Sequence, residues 1–199
     1  STDEVYGEIA QGAFRETHQL APNSPYAASK ASADMLVKSY IRTYGFPAII
    51  VRPSNNFGPW QYPEKLIPVV ITRAMQNQSV PVYAKGLNVR EWLFVDDSAR
   101  AILAVMTQGK LGECYNIGSG NERRNIDVVT AILDILEKPR SLIRYVADRP
   151  GHDLRYALDC AKVKRLGWKP RIDFNTGLHQ TVQWYLQYRK WVIKKLTVS

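Results

Sequence analysis

Short apolar runs with the length of β-strands alternate along this chain with longer segments of helical periodicity. Strands are predicted over residues 2–6, 48–52, 80–83, 91–95, 114–117, 143–146 and 156–158. Helices are predicted over residues 25–44, 64–77, 96–108, 125–136 and 175–190, with Ser24, Asp96 and Asn125 as N-caps. Gly45 and Pro47 end the first helix. Strands that alternate with helices are typical of an α/β fold with a parallel sheet.

A doubly wound sheet of the Rossmann type normally begins with a strand, a glycine-rich turn and a helix. Gly118-Ser119-Gly120 resembles such a turn, but Arg123 stands where the third glycine belongs, so a simple turn is predicted there. We therefore predict the C-terminal part of a Rossmann-type sheet over residues 1–58, with residues 86–109 packing on them. A smaller mixed α/β domain over residues 59–199 would be interleaved with it.

Several classes of protein are disfavoured by composition. Hydrophobic residues make up 45% of the chain, which is enough for a sizeable core. No apolar run reaches the length of a transmembrane helix, and two cysteines, Cys114 and Cys160, indicate reduced thiols in a cytoplasmic protein. Neither these cysteines nor the three histidines have metal-ligand spacing, so no metal is expected.

The net charge of +9 is concentrated in residues 138–171 and in a tail that contains Arg189, Lys190, Lys194 and Lys195. A nucleic-acid surface, a pocket for an anionic ligand and a solvated basic face would each explain it. The sequence contains no nucleic-acid-binding motif, which favours the other two explanations.

The most specific local feature is Tyr26-Ala-Ala-Ser-Lys30 at the start of the first helix. Residues four apart lie on one helix face. A nearby ammonium lowers the pKa of a phenol and makes it a usable base. Such spacing also occurs in ordinary surface pairs, so the spacing alone does not show whether Tyr26 and Lys30 are catalytic.

Three further groups of polar residues are candidates for chemistry. Asp3 and Glu4 are adjacent at a predicted strand end, where side chains point to opposite sides and can take separate acid and base roles. Asn55 and Asn56 follow a strand directly, where amides can bind a ligand or form a turn. Basic side chains suited to a diphosphate are Lys65, Arg90 and Arg149.

Taken together, these residues resemble the extended short-chain dehydrogenase/reductases, and within them the nucleotide-sugar 4,6-dehydratases that act on dTDP-glucose. The resemblance runs from Ser1 to about Tyr185. It rests on the segments STDEVYG, SPYAASK, NNFGP, PEKLIP, REWLFVDD, YNIGSGNERRN and ADRPGHDLRYALD. The Tyr-x3-Lys pattern identifies only the superfamily, whereas Thr-Asp-Glu with Arg-Pro-Gly-His-Asp points to the dehydratases.

The resemblance implies an NAD-dependent lyase. Tyr26 would take the proton of the sugar 4-hydroxyl, Lys30 would lower the pKa of Tyr26 and hold the nicotinamide ribose, and Thr2 would bind the reacting hydroxyl. Glu4 would remove the C5 proton, and Asp3 would protonate the leaving C6 hydroxyl. Asn56 would lie by the nicotinamide.

The same resemblance implies a nucleotide-sugar site and a homodimer. It makes residues 1–58, with 86–109, the remnant of the dinucleotide-binding domain, and residues 59–199 the nucleotide-sugar-binding, or substrate-binding, domain. The substrate-binding residues would be Thr2, Asn55, Lys65, Leu66, Pro81, Val82, Tyr83, Arg90, Asn125, Asp148, Arg149, Pro150, Gly151 and His152. In the family, a glycine-rich phosphate loop precedes STDEVYG. Because the 199 residues start at that motif, we expect them to lack most of the NAD site and to be inactive alone.

Three alternatives stay open. A nucleotide-sugar 4-epimerase or decarboxylase would share Tyr26 and Lys30 but not the paired roles of Asp3 and Glu4. A truncated, non-catalytic nucleotide-sugar-binding module would lack the glycine loop. Nucleic-acid binding through the basic tail would show steep salt dependence.

Overall fold

A computed structural model of the chain describes residues 1–196 of the 199. Its helices are α1 (Pro25–Tyr44), α2 (Leu66–Met75), α3 (Val95–Gln108), α4 (Asn125–Ile135), α5 (Ala161–Lys164), α6 (Phe174–Gln187) and α7 (Arg189–Leu196). Its strands are β1 (Ile50–Pro53), β2 (Asn55–Phe57), β3 (Val80–Tyr83), β4 (Val89–Phe94), β5 (Cys114–Ile117), β6 (Glu122–Arg124) and β7 (Ile143–Val146). Short 3₁₀ helices cover Asp3–Tyr6, Ala84–Gly86 and Arg140–Leu142.

The strands pair mainly in parallel, which confirms the α/β prediction. β1 pairs with β5, β2 with β4 and β3 with β7, all in parallel, while β6 pairs antiparallel with β4. β1 and β2 are consecutive, and the chain changes its pairing partner at Ser54, whose backbone N–H donates to Ile117 at 2.8 Å. The parallel strands therefore end side by side near Asn55, where ligands bind in sheets of this kind.

Two clusters of buried apolar side chains form the core. One joins α2, α4 and α6 to β3 and β4, and the other joins the first 3₁₀ helix to α3, β5 and the 156–168 segment. The clusters cut across the predicted domain boundary, because Phe57 belongs to the first and Leu158 to the second. The division into residues 1–58 and 59–199 stays a prediction.

The first helix forms as its capping residues predict. The Ser24 hydroxyl accepts from the Ala27 N–H at 3.1 Å, and Pro25 is the first helical residue. Gly45 ends the helix in the left-handed conformation at φ 63°. Local side-chain chemistry is sufficient to place both ends of this helix.

Several predicted boundaries are wrong. Residues 2–6 form a 3₁₀ helix rather than a strand, because the Thr2 hydroxyl caps the Glu4 N–H at 3.4 Å and two carboxylates occupy the first turn. Residues 156–158 form only an isolated bridge, Phe14 with Leu158. Residues 96 and 125 are helical residues instead of side-chain caps. The last predicted helix breaks at Tyr188 into α6 and α7.

The Gly118-Ser119-Gly120 segment is a turn between β5 and β6, as predicted. It packs against buried Glu91, whose carboxylate accepts from the Gly120 N–H at 2.7 Å. A Cβ on Gly118 would lie 2.1 Å from the same carboxylate. Glycine is therefore required at residue 118 for close packing, with no need for a phosphate ligand.

None of the helices within residues 1–196 combines the length and the apolar character that a membrane span requires. In the same part of the chain, no group of three or more His, Cys, Asp or Glu side chains is placed to hold a metal ion. Cys114 and Cys160 are both buried and unpaired by disulfide.

Candidate active site

An open cleft of about 660 Å³ lies beside Asn55 at the start of β2 and beside Arg90 and Trp92 of β4. Eleven of the residues predicted to be functional line it: Glu4, Tyr26, Asn55, Lys65, Leu66, Arg90, Asn125, Arg149, Pro150, Gly151 and His152. These residues come from segments that are up to about 150 positions apart in the sequence, and the fold brings them around one space.

Tyr26 and Lys30 lie on one face of α1, as their spacing predicts. The Tyr26 side chain is 54% exposed, and the Lys30 Nζ lies 5.9 Å from the centre of its ring. Burial raises the pKa of Tyr26, nearby Glu4 raises it further, and Lys65 acts in the opposite direction. The structure thus gives a raised pKa, and the predicted lowering by Lys30 stays a prediction.

Asp3 and Glu4 have different surroundings. Asp3 is buried and does not line the cleft; its Oδ1 accepts from the Thr2 hydroxyl at 3.1 Å, while its Oδ2 has no partner. Burial, with the charge of Glu4, raises the pKa of Asp3 to about 7. Glu4 lines the cleft, and burial raises its pKa while Arg90 and Lys65 lower it. Asp3 can therefore hold a proton near neutral pH beside a second carboxyl that borders the cleft.

Asparagine side chains provide polar atoms without partners. The Oδ1 atoms of Asn55 and Asn125, which line the cleft, are buried without a hydrogen bond, and so is the Oδ1 of neighbouring Asn56. A buried amide oxygen without a partner is costly, so a ligand that supplies donors would be stabilised here.

Basic side chains gather around the 148–153 loop. Arg149 donates to the His152 ring at 3.1 Å and lies over the Tyr83 ring at 5.3 Å. The Asp148 carboxylate is 2.6 Å from the other ring nitrogen of His152, and burial lowers the pKa of that histidine.

Arg90 is buried and largely committed to the protein itself. It donates to the backbone carbonyls of Val89, Leu154 and Asp153, and its guanidinium lies 4.4 Å from the Tyr156 ring centre. Arg90 thereby holds the 153–156 segment against β4, at the wall of the cleft.

Eight predicted residues do not line the cleft: Thr2, Asp3, Lys30, Asn56, Pro81, Val82, Tyr83 and Asp148. Val82 packs in the core, because alternate residues of β3 point inward. Six lining residues were not predicted as site residues: Ser24, Pro25, Gln61, Glu64, Trp92 and Tyr156. Trp92 could have been predicted as a lining residue, because it lies two positions after Arg90 and alternate residues of a strand share a face. No local pattern predicts that Gln61 or Tyr156 lines the cleft.

Comparison of the whole chain with known proteins identifies a family and several relatives to which it is similar. A family model described as GDP-mannose 4,6 dehydratase matches residues 1–181. The dTDP-glucose 4,6-dehydratase 1 of Escherichia coli strain K12 is 51% identical over 210 residues, covering 96% of this chain and 58% of that relative.

Solved structures give the same result. The Bacillus anthracis dTDP-glucose 4,6-dehydratase in complex with NAD has a TM-score of 0.94 and 49% identity, covering 98% of this chain and 63% of that one. The Thermus thermophilus UDP-glucose 4-epimerase in complex with NAD has a TM-score of 0.88 and 29% identity, covering 94% and 63%. The chain thus spans less than two thirds of each of these proteins.

Proposed function

The chain belongs to the GDP-mannose 4,6-dehydratase family, and from this premise we propose that it carries the acid–base and substrate-binding side chains of an NAD-dependent dTDP-glucose 4,6-dehydratase. The relatives that it resembles at about 50% identity bear that name. The observation that carries the proposal is the placing of Glu4 and Tyr26 in one cleft with basic side chains, with a buried Asp3 next to Glu4 in the chain.

The residues proposed to hold NAD are Tyr26, Lys30 and Asn56. Their chemistry fits the nicotinamide end, because the buried Asn56 Oδ1 lacks a donor and a carboxamide N–H would supply one. The cofactor supplies a hydride acceptor at the start of the reaction and a hydride donor at its end.

Tyr26 begins the reaction by accepting the proton of the 4-hydroxyl as the C4–H bond breaks and C4 becomes a ketone. Thr2 would bind this hydroxyl, and Lys30 would stabilise the phenolate of Tyr26. The ketone acidifies the C5–H bond, and Glu4 removes that proton. The buried carboxyl of Asp3 gives its proton to the C6 hydroxyl, which leaves as water. Reduction of the remaining C5–C6 double bond would need hydride at C6, which the bound cofactor would supply, and a proton at C5, which Glu4 would return. The proton held by Tyr26 would pass to solvent, and solvent would reprotonate Asp3.

The substrate's charge matches the basic side chains of the cleft. A nucleoside diphosphate carries about two negative charges that Lys and Arg can match. Lys65, Arg149 and His152 line the cleft, and Tyr83 and Asp148 hold Arg149 and His152 in place. We assign Leu66, Pro150 and Gly151, which line the cleft, to the walls of the nucleotide site. A role of Pro81 in substrate binding stays a prediction.

We also propose a homodimer. Of the 20 residues of α1, only Ala27, Ala31 and Asp34 are buried, whereas Leu36, Tyr40 and Tyr44, spaced by four on one face, are 61%, 49% and 74% exposed. An exposed apolar face of this kind is typical of an interface. Sedimentation velocity of the parent and of Leu36→Glu tests it; an unchanged mass would argue against α1 as the contact.

Product analysis with a matched variant tests the function. An enzyme that contains this chain should convert dTDP-glucose to a 4-keto-6-deoxy sugar, and Tyr26→Phe should lose at least about 100-fold in kcat because the base is gone. Glu4→Gln should also slow the exchange of the C5 hydrogen with solvent deuterium. Formation of a 4-epimer instead would assign the chain to the epimerases, and near-parent turnover by Tyr26→Phe would remove Tyr26 from the mechanism.

A further inference from the structure

Two cleft residues outside the predicted set have buried polar atoms with no protein partner. They are Gln61, whose Oε1 is unpaired, and Trp92, whose indole Nε1 is unpaired. A buried donor or acceptor without a partner costs stability, so its retention at a ligand cleft points to a ligand contact.

The protein fixes the orientation of the Gln61 amide. Its Nε2 donates to the backbone carbonyl of Asn56 at 2.9 Å, and a carbonyl can only accept, so the other atom is the oxygen. The backbone carbonyl of Gln61 accepts from the Tyr185 hydroxyl, which ties the residue to α6. Gln61 therefore presents a fixed acceptor.

Trp92 presents a fixed donor. It is 4% exposed, and its ring packs edge-on against Phe57 with ring centres 6.1 Å apart. Its backbone N–H donates to Asn121 at 3.0 Å, and its carbonyl accepts from the Ser119 hydroxyl at 2.6 Å. The indole N–H is the remaining polar group of this side chain, and it can only donate.

These two contacts select the chemistry of the ligand group. Diphosphate oxygens accept but do not donate, so they leave the Gln61 acceptor unsatisfied, whereas hydroxyls both donate and accept. Gln61 is bonded to Asn56, and Trp92 lies opposite Asn55 in the β2–β4 register, so both lie beside the Asn55-Asn56 pair. Glu4 and Tyr26 border the same cleft.

We propose that Gln61 and Trp92 bind hydroxyl groups of the sugar ring, Gln61 as acceptor and Trp92 as donor, and so help the cleft to select a sugar nucleotide over the free nucleotide. This inference rests on the proposed function. It adds two specificity-determining side chains that act on binding of the sugar and take no part in proton transfer.

Calorimetry with dTDP-glucose and with dTDP tests the proposal. Gln61→Met removes the side-chain amide at nearly constant length, including its bond to the Asn56 carbonyl. Trp92→Phe removes the indole N–H together with one ring of a buried side chain. We expect each to weaken dTDP-glucose binding at least about tenfold while leaving dTDP binding unchanged. Matched controls are Tyr62→Phe, in the same loop, and Trp184→Phe, which lies outside the cleft; both should bind like the parent.

A second measurement removes single hydroxyl groups from the ligand and compares their loss in the parent and in the variants. Analogues of dTDP-glucose in which the 2- or the 3-hydroxyl is replaced by hydrogen should include one that binds the parent about tenfold more weakly, with no further loss in Gln61→Met or Trp92→Phe. Equal losses for dTDP and dTDP-glucose would place both side chains at the nucleotide and overturn the proposal, as would unchanged binding of every ligand. A parent protein that binds neither ligand would instead overturn the proposed function.

Discussion

Among the carboxyl groups proposed for the reaction, Asp3 has a pKa that burial moves into the neutral range. Burial raises its pKa from 3.8 to about 7. The unfolded chain releases this proton near pH 4 and the folded chain keeps it to about pH 7, so this group makes stability fall as pH rises between the two values. We expect Asp3→Asn, which cannot ionise, to exceed the parent in free energy of unfolding at pH 8 by up to about 4 kcal/mol. Its advantage at pH 4 should be small, and urea unfolding at both pH values measures it.

Asp127 provides a control of opposite sign. A hydrogen bond from Arg124 lowers the pKa of Asp127, so its carboxylate stabilises the chain above its ordinary pKa. Asp127→Asn should lose about 0.5 kcal/mol at pH 8 because the ion pair is exposed, and less as the pH falls through its lowered pKa. If Asp3→Asn also lost stability at pH 8, the Asp3 carboxylate would have to be well solvated in the folded chain.

The elements that carry the site are joined by a buried charge network that local patterns do not reveal. Arg52 on β1 is fully buried; its Nε donates to Asp34 of α1 at 2.8 Å, and another nitrogen donates to the Tyr6 hydroxyl at 2.7 Å. One side chain thus links the helix of Tyr26 to the 3₁₀ helix of Asp3 and Glu4. The capping of α1 could be predicted from adjacent residues, but Asp34 and Arg52 pair only after folding, across 18 positions.

Removing one partner of this network should be more harmful than removing both. Arg52→Met leaves the Asp34 carboxylate buried and unpaired, and we expect a loss of about 3–5 kcal/mol in the free energy of unfolding. Arg52→Met with Asp34→Leu removes both charges and should lose less. Urea denaturation measures the three proteins, with Tyr6→Phe as a control that removes a single hydroxyl. A double variant as unstable as the single one would show that packing, not charge, sets the cost.

At the scale of the whole molecule, the sequence predicted the class of fold and most strands but not how they assemble. β3, β5 and β7 have their predicted bounds because each is a short apolar run. β1 pairs in parallel with β5, although Ile50 and Cys114 are 64 residues apart. A parallel pair needs a long connection that contains helices, so no pattern within either strand predicts the pairing. Thr2–Tyr6 was misread for a different and local reason, since the capping hydroxyl of Thr2 overrode the strand-like composition of the segment.

The last prediction concerns these 199 residues expressed by themselves. They contain no G-x-G-x-x-G loop, and in folds of this class the dinucleotide pyrophosphate binds at such a loop and the helix that follows it. Hydride transfer needs the nicotinamide held in near contact with C4, and such positioning is worth many orders of magnitude in rate. We therefore expect no turnover of dTDP-glucose even with added NAD.

Binding measurements on the same 199 residues should distinguish dTDP from NAD. The residues proposed for the nucleotide diphosphate, Lys65, Arg149 and His152, are all present and line the cleft, so weak binding of dTDP should survive. The exposed apolar face of α1 should also promote association of the isolated chain. Calorimetry with NAD and with dTDP, beside an assay for 4-keto-6-deoxy product, tests each expectation. A cofactor held only at Tyr26, Lys30 and Asn56 cannot keep the nicotinamide in near contact with C4. NAD binding in the micromolar range together with product would therefore contradict the prediction, because it would show that these residues form a complete cofactor site.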